Sequence, residues 1–100
     1  MRYEIRKRED GKQAIFDKDG NMVSPDWYDG IWESGLVRGK SRYYVVVKDG
    51  KEAIFDIDGN QISQWFDSIF SSGLIEGKSD YYIARKDGKS AIFHKEGRQI

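Results

Sequence analysis

The clearest hydrophobic pattern in the chain is period-two alternation over short runs, each stopped by an Asp-Gly pair. Tyr43–Lys48 (YYVVVK) runs into Asp49-Gly50, Tyr81–Lys86 (YYIARK) runs into Asp87-Gly88, and an Ala-Ile-Phe run follows each turn. β-Branched and aromatic residues in runs of this length, bounded by turn residues, predict strands. A two-residue Asp-Gly loop favours a type I′ hairpin, because both central residues need positive φ. In the middle copy the rule places Lys48 and Lys51 beside the turn. It then pairs Val46 with Ala53, Val45 with Ile54 and Tyr44 with Phe55. Asp58-Gly59 reads as a second two-residue turn, which sets Phe55 opposite Ile62. The expectation is a three-stranded meander at 43–48, 51–57 and 60–63.

Parity sorts the faces, since successive strand residues point to opposite sides. Tyr44, Val46, Ala53, Phe55 and Ile62 form the expected core face. Glu52, Asp56, Gln61 and Ser63 fall on the other, together with Val45, Val47 and Ile54. That second face is mixed, so part of it is expected to be covered by a neighbouring unit. Ala14, Ala53 and Ala91 hold matching strand-centre positions, where a small residue points to close approach by a backbone or a ring.

The pattern recurs. DGKQAIFDKDGNMVS at Asp10–Ser24 returns as DGKEAIFDIDGNQIS at Asp49–Ser63 and as DGKSAIFHKEGRQI at Asp87–Ile100, with spacings of 39 and then 38 residues. The segments between also correspond, Trp27–Ser41 with Trp65–Ser79. Trp27, Ile31 and Leu36, with Trp65, Ile69 and Leu74, are the expected buried anchors of these connectors. Residues 30–33 and 68–71 read as strand-like and Ser34-Gly35 and Ser72-Gly73 as turns, while a short helical turn around Asp26–Asp29 stays open. No stretch carries the period of a long amphipathic helix. The expected fold is all-β: one domain, 1–100, of tandem three-stranded antiparallel meanders with period 38–39. Repeat 1 covers about 3–41, repeat 2 about 42–79 and a half repeat about 80–100. Units of this length suit several closures. An open solenoid-like stack is favoured over a β-propeller built by several chains, with a trefoil-like barrel third. Stacked units need protected ends, and no polar capping unit follows the last meander. Its edge is therefore expected to pair with another copy or to belong to a longer array.

Residues 1–9 (MRYEIRKRE) are a charged, weakly alternating version of the same strand. Dense charge is what an edge strand needs to avoid templating another chain. A basic contact site built on Arg2, Arg6, Lys7 and Arg8 is the alternative.

Composition narrows the function classes. Charged residues are 34% of the chain, hydrophobic ones 38% and aromatic ones 14%, so aromatics must supply much of the core. Seventeen basic and seventeen acidic residues cancel, leaving no global field for nucleic acid or an anionic membrane. Neither is an expected partner. The absence of Cys removes disulfides, thiolate catalysis and Cys-based zinc sites. No window approaches the length of an apolar membrane span and no signal-peptide pattern opens the chain. Cytoplasmic residence is the default expectation, with an exported origin also compatible.

Candidate chemistry is sparse. His94 stands alone where the other copies have Asp17 and Asp56, which does not suit a triad or a metal cluster. It reads as a solvent-facing strand residue. Asp17-x-Asp19-Gly20-Asn21 and Asp56-x-Asp58-Gly59-Asn60 resemble the start of a calcium loop but lack its later ligands, and read as hairpin turns. Gly39-Lys40-Ser41 sits one residue too close to Gly35 for a phosphate loop. The expectation is a non-enzyme with no catalytic residue, no cofactor and no metal. The aromatics are the remaining candidates. The predicted register points Tyr43 and Tyr81 away from the core, and with Trp27 and Trp65 they form the candidate binding surface. Packing between repeats explains the same rings.

Gly11-Lys12, Ile15-Phe16-Asp17, Asp19-Gly20, Val23, Pro25, Tyr28-Asp29 and Ser34-Gly35-Leu36 follow one another in an order that resembles the WG-repeat family of bacterial β-rich arrays. Gly50-Lys51, Ile54-Phe55-Asp56, Gly59, Ile62, Phe66-Asp67 and Ser72-Gly73-Leu74 repeat it. The Trp-Gly dipeptide itself is replaced by Gln13-Ala14, Glu52-Ala53 and Ser90-Ala91. The resemblance implies a non-catalytic interaction module. The resulting expectation is protein–protein interaction or self-assembly as a homo-oligomer. The alternative is a glycan- or cell-wall-binding module that uses outward rings.

Overall fold

A computed structural model describes residues 2–100; Met1, where the single-domain reading begins, lies outside them. Every regular element is a strand: β1 (Tyr3–Lys7), β2 (Gln13–Asp17), β3 (Gly30–Ile31), β4 (Tyr43–Lys48), β5 (Lys51–Asp56), β6 (Ser68–Ile69), β7 (Tyr81–Lys86) and β8 (Lys89–His94). They form three antiparallel sheets, β1-β2, β3-β4-β5 and β6-β7-β8. The helical turn left open at Asp26–Asp29 does not form, and among the described residues no helix is long and apolar enough to cross a membrane.

The middle hairpin has the predicted register, Lys48↔Lys51, Val46↔Ala53, Val45↔Ile54 and Tyr44↔Phe55. Its turn is the expected mirror-image type: Asp49 and Gly50 have φ of 53° and 77°, and Asp87 and Gly88 in the third sheet have 54° and 79°. Asp10-Gly11 and Asp58-Gly59 do not form two-residue turns, which corrects the reading of Asp58-Gly59. At the first hairpin Arg8 N–H donates to Lys12 C=O (2.8 Å) and Gly11 N–H to Arg8 C=O (3.0 Å), giving a three-residue loop that ends on a left-handed Gly11. The Asp10 carboxylate stabilises this longer loop by accepting from Lys12 N–H at 3.0 Å.

The loop at Asp58-Gly59 is likewise three residues long, with Asp56 N–H donating to Asn60 C=O (2.9 Å) and Gly59 N–H to Asp56 C=O (3.0 Å). Asp56 Oδ1 accepts from the N–H groups of both Asp58 and Asn60, each at 2.9 Å. This side-chain turn inserts one more residue than a two-residue hairpin would hold. Phe55 therefore pairs with Gln61, through an isolated bridge in place of a strand at 60–63. Ile62 moves to the face opposite Tyr44 and, like Trp32 and Tyr43, packs against the cluster that holds Val45 and Ile54. Ser63 turns inward, buried, and its Oγ accepts from Ile54 N–H at 2.8 Å.

The mixed face of the middle sheet is covered, as expected. Tyr44, Val46, Ala53 and Phe55 pack with Ile15, Tyr28, Leu36 and Val37 in one apolar cluster. Val45 and Ile54, on the opposite face, pack with Phe66, Leu74, Ile75, Tyr82 and Phe93 in a second. The β3-β4-β5 sheet is thus buried on both sides, between β1-β2 and β6-β7-β8. The burial continues through aromatic contacts: Tyr44 stacks on Phe55 at 6.1 Å between ring centroids and Tyr82 on Phe93 at 5.6 Å. Burial also pushes the Tyr44 phenol up from its ordinary range.

The connectors hold consecutive sheets together. Tyr28 bridges to Gln13 on the outer edge of β2, and two residues on, Gly30–Ile31 pair with β4. Phe66 bridges to Glu52 on β5 and Ser68–Ile69 pair with β7 in the same way. Ile31, Leu36, Ile69 and Leu74 are buried anchors as predicted, whereas Trp27 and Trp65 are only half-buried. Ala14 and Ala53 are fully enclosed; Ala91 is not. At the other end β1 pairs with β2 alone, the exposed charged edge its sequence suggested.

Candidate functional site

The four candidate aromatics do not come together. Tyr43 lies against the cluster between the second and third sheets, and Trp65 against the cluster between the first and second, 6.2 Å from the Phe55 ring. Trp27 packs on Phe16 at 5.6 Å, and the Arg8 guanidinium lies 4.9 Å from the Trp27 ring centre. Tyr81 alone faces solvent, 42% exposed, with its ring edge-on to His94.

The surface that does emerge surrounds Tyr81. In β7 Tyr81 and Ile83 share one face by alternation, and the register sets Ile92 opposite Ile83. Phe70 N–H donates to Ile83 C=O (3.0 Å) and Ile100 N–H to Ile92 C=O (2.8 Å), which extends the same face on both flanks. Phe70, Ile92 and Ile100 are 39%, 46% and 64% exposed. The corresponding positions of the middle sheet are Trp32, Tyr43, Val45, Ile54 and Ile62, all of them in or against the cluster beneath the third sheet. One set of positions is interior in the second sheet and open in the third. Sequence reasoning pointed Tyr81 outward, as the structure has it, and did not name Phe70, Ile92 and Ile100. The pairing Val45–Ile54, transferred to Ile83–Ile92, was the signal that could have found them.

The opposite end of the molecule is charged. On the outer face of β1-β2 the positions of Tyr44 and Val46 are taken by Glu4 and Arg6, as the pairings Glu4↔Phe16 and Arg6↔Ala14 show. Arg6 pairs with Glu4 at 2.8 Å and covers the Phe16 ring at 4.4 Å. Of the other basic residues, Lys7 is exposed at the end of β1, opposite Gln13, and Arg2 lines a shallow cleft of 450 Å³ with Tyr3, Leu36, Lys40 and Ile57.

His94 is not solvent-facing; it is 8% exposed. Its Nδ1 accepts from Glu96 N–H at 3.1 Å, while His94 N–H donates to Arg98 C=O at 2.8 Å. Asp17 and Asp56 serve the same loop position with a carboxylate. Asp17 Oδ1 accepts from Asp19 and Asn21 N–H at 2.9 Å each, and the Asn21 backbone bond leads in holding its carboxyl below the usual range. These residues close turns. Among the described residues no group of three or more His, Cys, Asp or Glu is placed to hold a metal ion.

The other polar cluster joins the sheets. Asp29 accepts from Lys12 Nζ at 2.7 Å and from Asp49 N–H at 2.8 Å; Asp67 binds Lys51 Nζ and accepts from Asp87 N–H at 2.9 Å. Each carboxylate therefore ties the lysine after one hairpin turn to the turn of the next. The lysine partner leads in holding both carboxyls below the usual range. Comparison of the chain with family models, curated proteins and solved structures gives no match.

Proposed function

We propose that this chain is a non-catalytic β-repeat module whose working surface is the apolar face of β7-β8, and that two copies meet through it. The observation that carries this reading is the exposure of Phe70, Tyr81, Ile92 and Ile100, whose counterparts Trp32, Tyr43, Ile54 and Ile62 pack against the next sheet. Contiguous exposed apolar residues mark interaction surfaces. Face-to-face pairing is favoured over head-to-tail pairing, because the outer face of β1-β2 carries Glu4 and Arg6. The sequence repetition and the docking of one face on the next support an open stack of units resembling WG repeats. The packing of Tyr43, Trp27 and Trp65 leaves few free rings, which favours protein over glycan as the partner.

Sedimentation velocity with light scattering tests the proposal. Concentration-dependent dimerisation is expected, abolished by Ile92→Glu and unaffected by Arg6→Glu. A species that stays monomeric to roughly 1 mM, where an interface of about 4 kcal/mol would be half formed, counts against it.

A further inference from the structure

The edge of β8 lies apart from the apolar face, and what it can bind goes beyond the dimer reading. On β2, Gln13 exchanges both backbone hydrogen bonds with Tyr28, at 2.7 and 2.8 Å; on β5, Glu52 does the same with Phe66, at 2.8 Å each. Three side-chain contacts accompany each exchange. The Gln13 and Glu52 oxygens accept from Ile31 and Ile69 N–H, at 2.8 and 2.6 Å. Lys12 and Lys51 bind Asp29 and Asp67. Trp27 and Trp65 lie on Phe16 and Phe55. Trp27-Tyr-Asp-Gly-Ile31 and Trp65-Phe-Asp-Ser-Ile69 thus dock in one manner on two strands.

The third sheet has the receiving half of this arrangement. Ser90 pairs with Arg85 as Glu52 pairs with Val47, and Phe93 pairs with Tyr82 as Phe55 pairs with Tyr44. Lys86↔Lys89 closes a two-residue turn and is a hydrogen-bonded pair. The next pair, Arg85↔Ser90, is then not hydrogen-bonded, and the Ser90 N–H and C=O point out from an edge that is unpaired among the described residues. Lys89, the counterpart of Lys12 and Lys51, makes no ion pair among the described residues, and Ala91 is partly uncovered where Ala14 and Ala53 are enclosed. A cavity of 580 Å³ opens beside Ala84, Ala91, Phe93 and Gln99, next to the ring on which a Trp would lie.

We infer that the β8 edge is a peptide-docking site for an extended Trp–(Tyr or Phe)–Asp–(Gly or Ser)–Ile segment of a partner protein. The segment adds as an edge strand at Ser90, places its carboxylate on Lys89 and seats its indole against Phe93, a strand-addition mode of recognition. One contact is missing. Ser90 is too short to take the Ile N–H that Gln13 and Glu52 hold, so docking here is reversible where the other two are built in.

A labelled peptide copying Gln64–Ser72, titrated against the full chain by fluorescence anisotropy, tests the inference. Saturable binding is expected, lost when the peptide's Trp is replaced by Ala and weakened by Lys89→Glu in the protein. Ser90→Glu restores the missing acceptor and is expected to tighten binding about tenfold, the worth of one hydrogen bond to a charged group. No saturable binding, or binding indifferent to both Lys89→Glu and Ser90→Glu, overturns it. A peptide that splits a dimer of the chain assigns the slot to a second copy and also overturns it. Ile92→Glu leaves this binding unchanged, so failure of the face-to-face dimer and failure of the peptide site are read separately.

Discussion

Ile54 and Ile92 share a register position, opposite Val45 and Ile83 respectively, yet Ile54 is fully buried and Ile92 is 46% exposed. Truncating each to Ala removes the same atoms from two environments. At about 0.8 kcal/mol per CH₂, losing roughly three buried carbons costs about 2.4 kcal/mol in transfer alone. The cavity left between the second and third sheets raises Ile54→Ala to about 3–4 kcal/mol, within the usual range for such core deletions. At Ile92 about half the transfer cost applies and no closed cavity forms, so about 1 kcal/mol is expected. Urea unfolding followed by tryptophan fluorescence, at a protein concentration low enough to keep the chain monomeric, measures both. An unchanged m value confirms that the shift in midpoint reports stability. If Ile54→Ala costs no more than Ile92→Ala, the middle sheet is not buried on both faces and the assignment of the open face falls with it.

Two further outcomes follow from the turns and the inter-sheet carboxylates. Gly35 and Gly39 have φ of 80° and 72°, but a Cβ at Gly35 would lie 2.2 Å from Tyr43 C=O while one at Gly39 meets nothing within 4 Å. Both pay the left-handed penalty of about 1–2 kcal/mol, and Gly35→Ala is expected to cost about 1–3 kcal/mol more by thermal or urea unfolding; equal costs refute the close approach. Asp29 and Asp67 have carboxyls held below the ordinary value, chiefly by Lys12 and Lys51. Their contribution is present above the unfolded pKa of about 3.9 and is lost as pH falls through the lower folded value. An acid titration followed by circular dichroism should therefore be shallower below pH about 4 in the Asp29→Asn/Asp67→Asn protein than in the parent, and superimposable profiles would refute the link.

How much was legible depended on which group controlled each turn. Asp49-Gly50 is flanked by Lys48 and Lys51, whose side chains do not compete for the turn's N–H groups, and its register followed from the dipeptide alone. Asp58-Gly59 is preceded by Asp56, whose carboxylate captures two N–H groups and lengthens the loop by one residue. The same Asp-x-Asp-Gly-Asn spacing that resembled a calcium loop is the signature of this side-chain turn, so the information was present under another reading. His94 was misplaced because solvent exposure was inferred from strand parity, whereas its ring is engaged by Tyr81 and by its own loop. Tyr43 and Tyr81 are indistinguishable by sequence position. What separates them is the presence of a sheet over one and not the other, a tertiary fact that no local pattern carries.

The contrast between the two ends bears on how copies can meet. In a ring or an endless stack built of these chains, the β7-β8 face of one copy must receive the outer face of β1-β2 of the next. Inside the molecule such a contact sets Val45 and Ile54 against Tyr82, Ala84 and Phe93. Between copies it would set Ile83 and Ile92 against Glu4 and Arg6. Burying that ion pair removes it from water, and desolvation of two charges outweighs their attraction unless further hydrogen bonds compensate. Apolar β7-β8 residues supply none. A two-fold contact instead places the same patch on both sides and leaves Glu4 and Arg6 in solvent, and such isologous pairing closes at two copies. The charge pattern of a single strand, β1, thus argues for a closed dimer over a propeller or an unlimited stack of this chain.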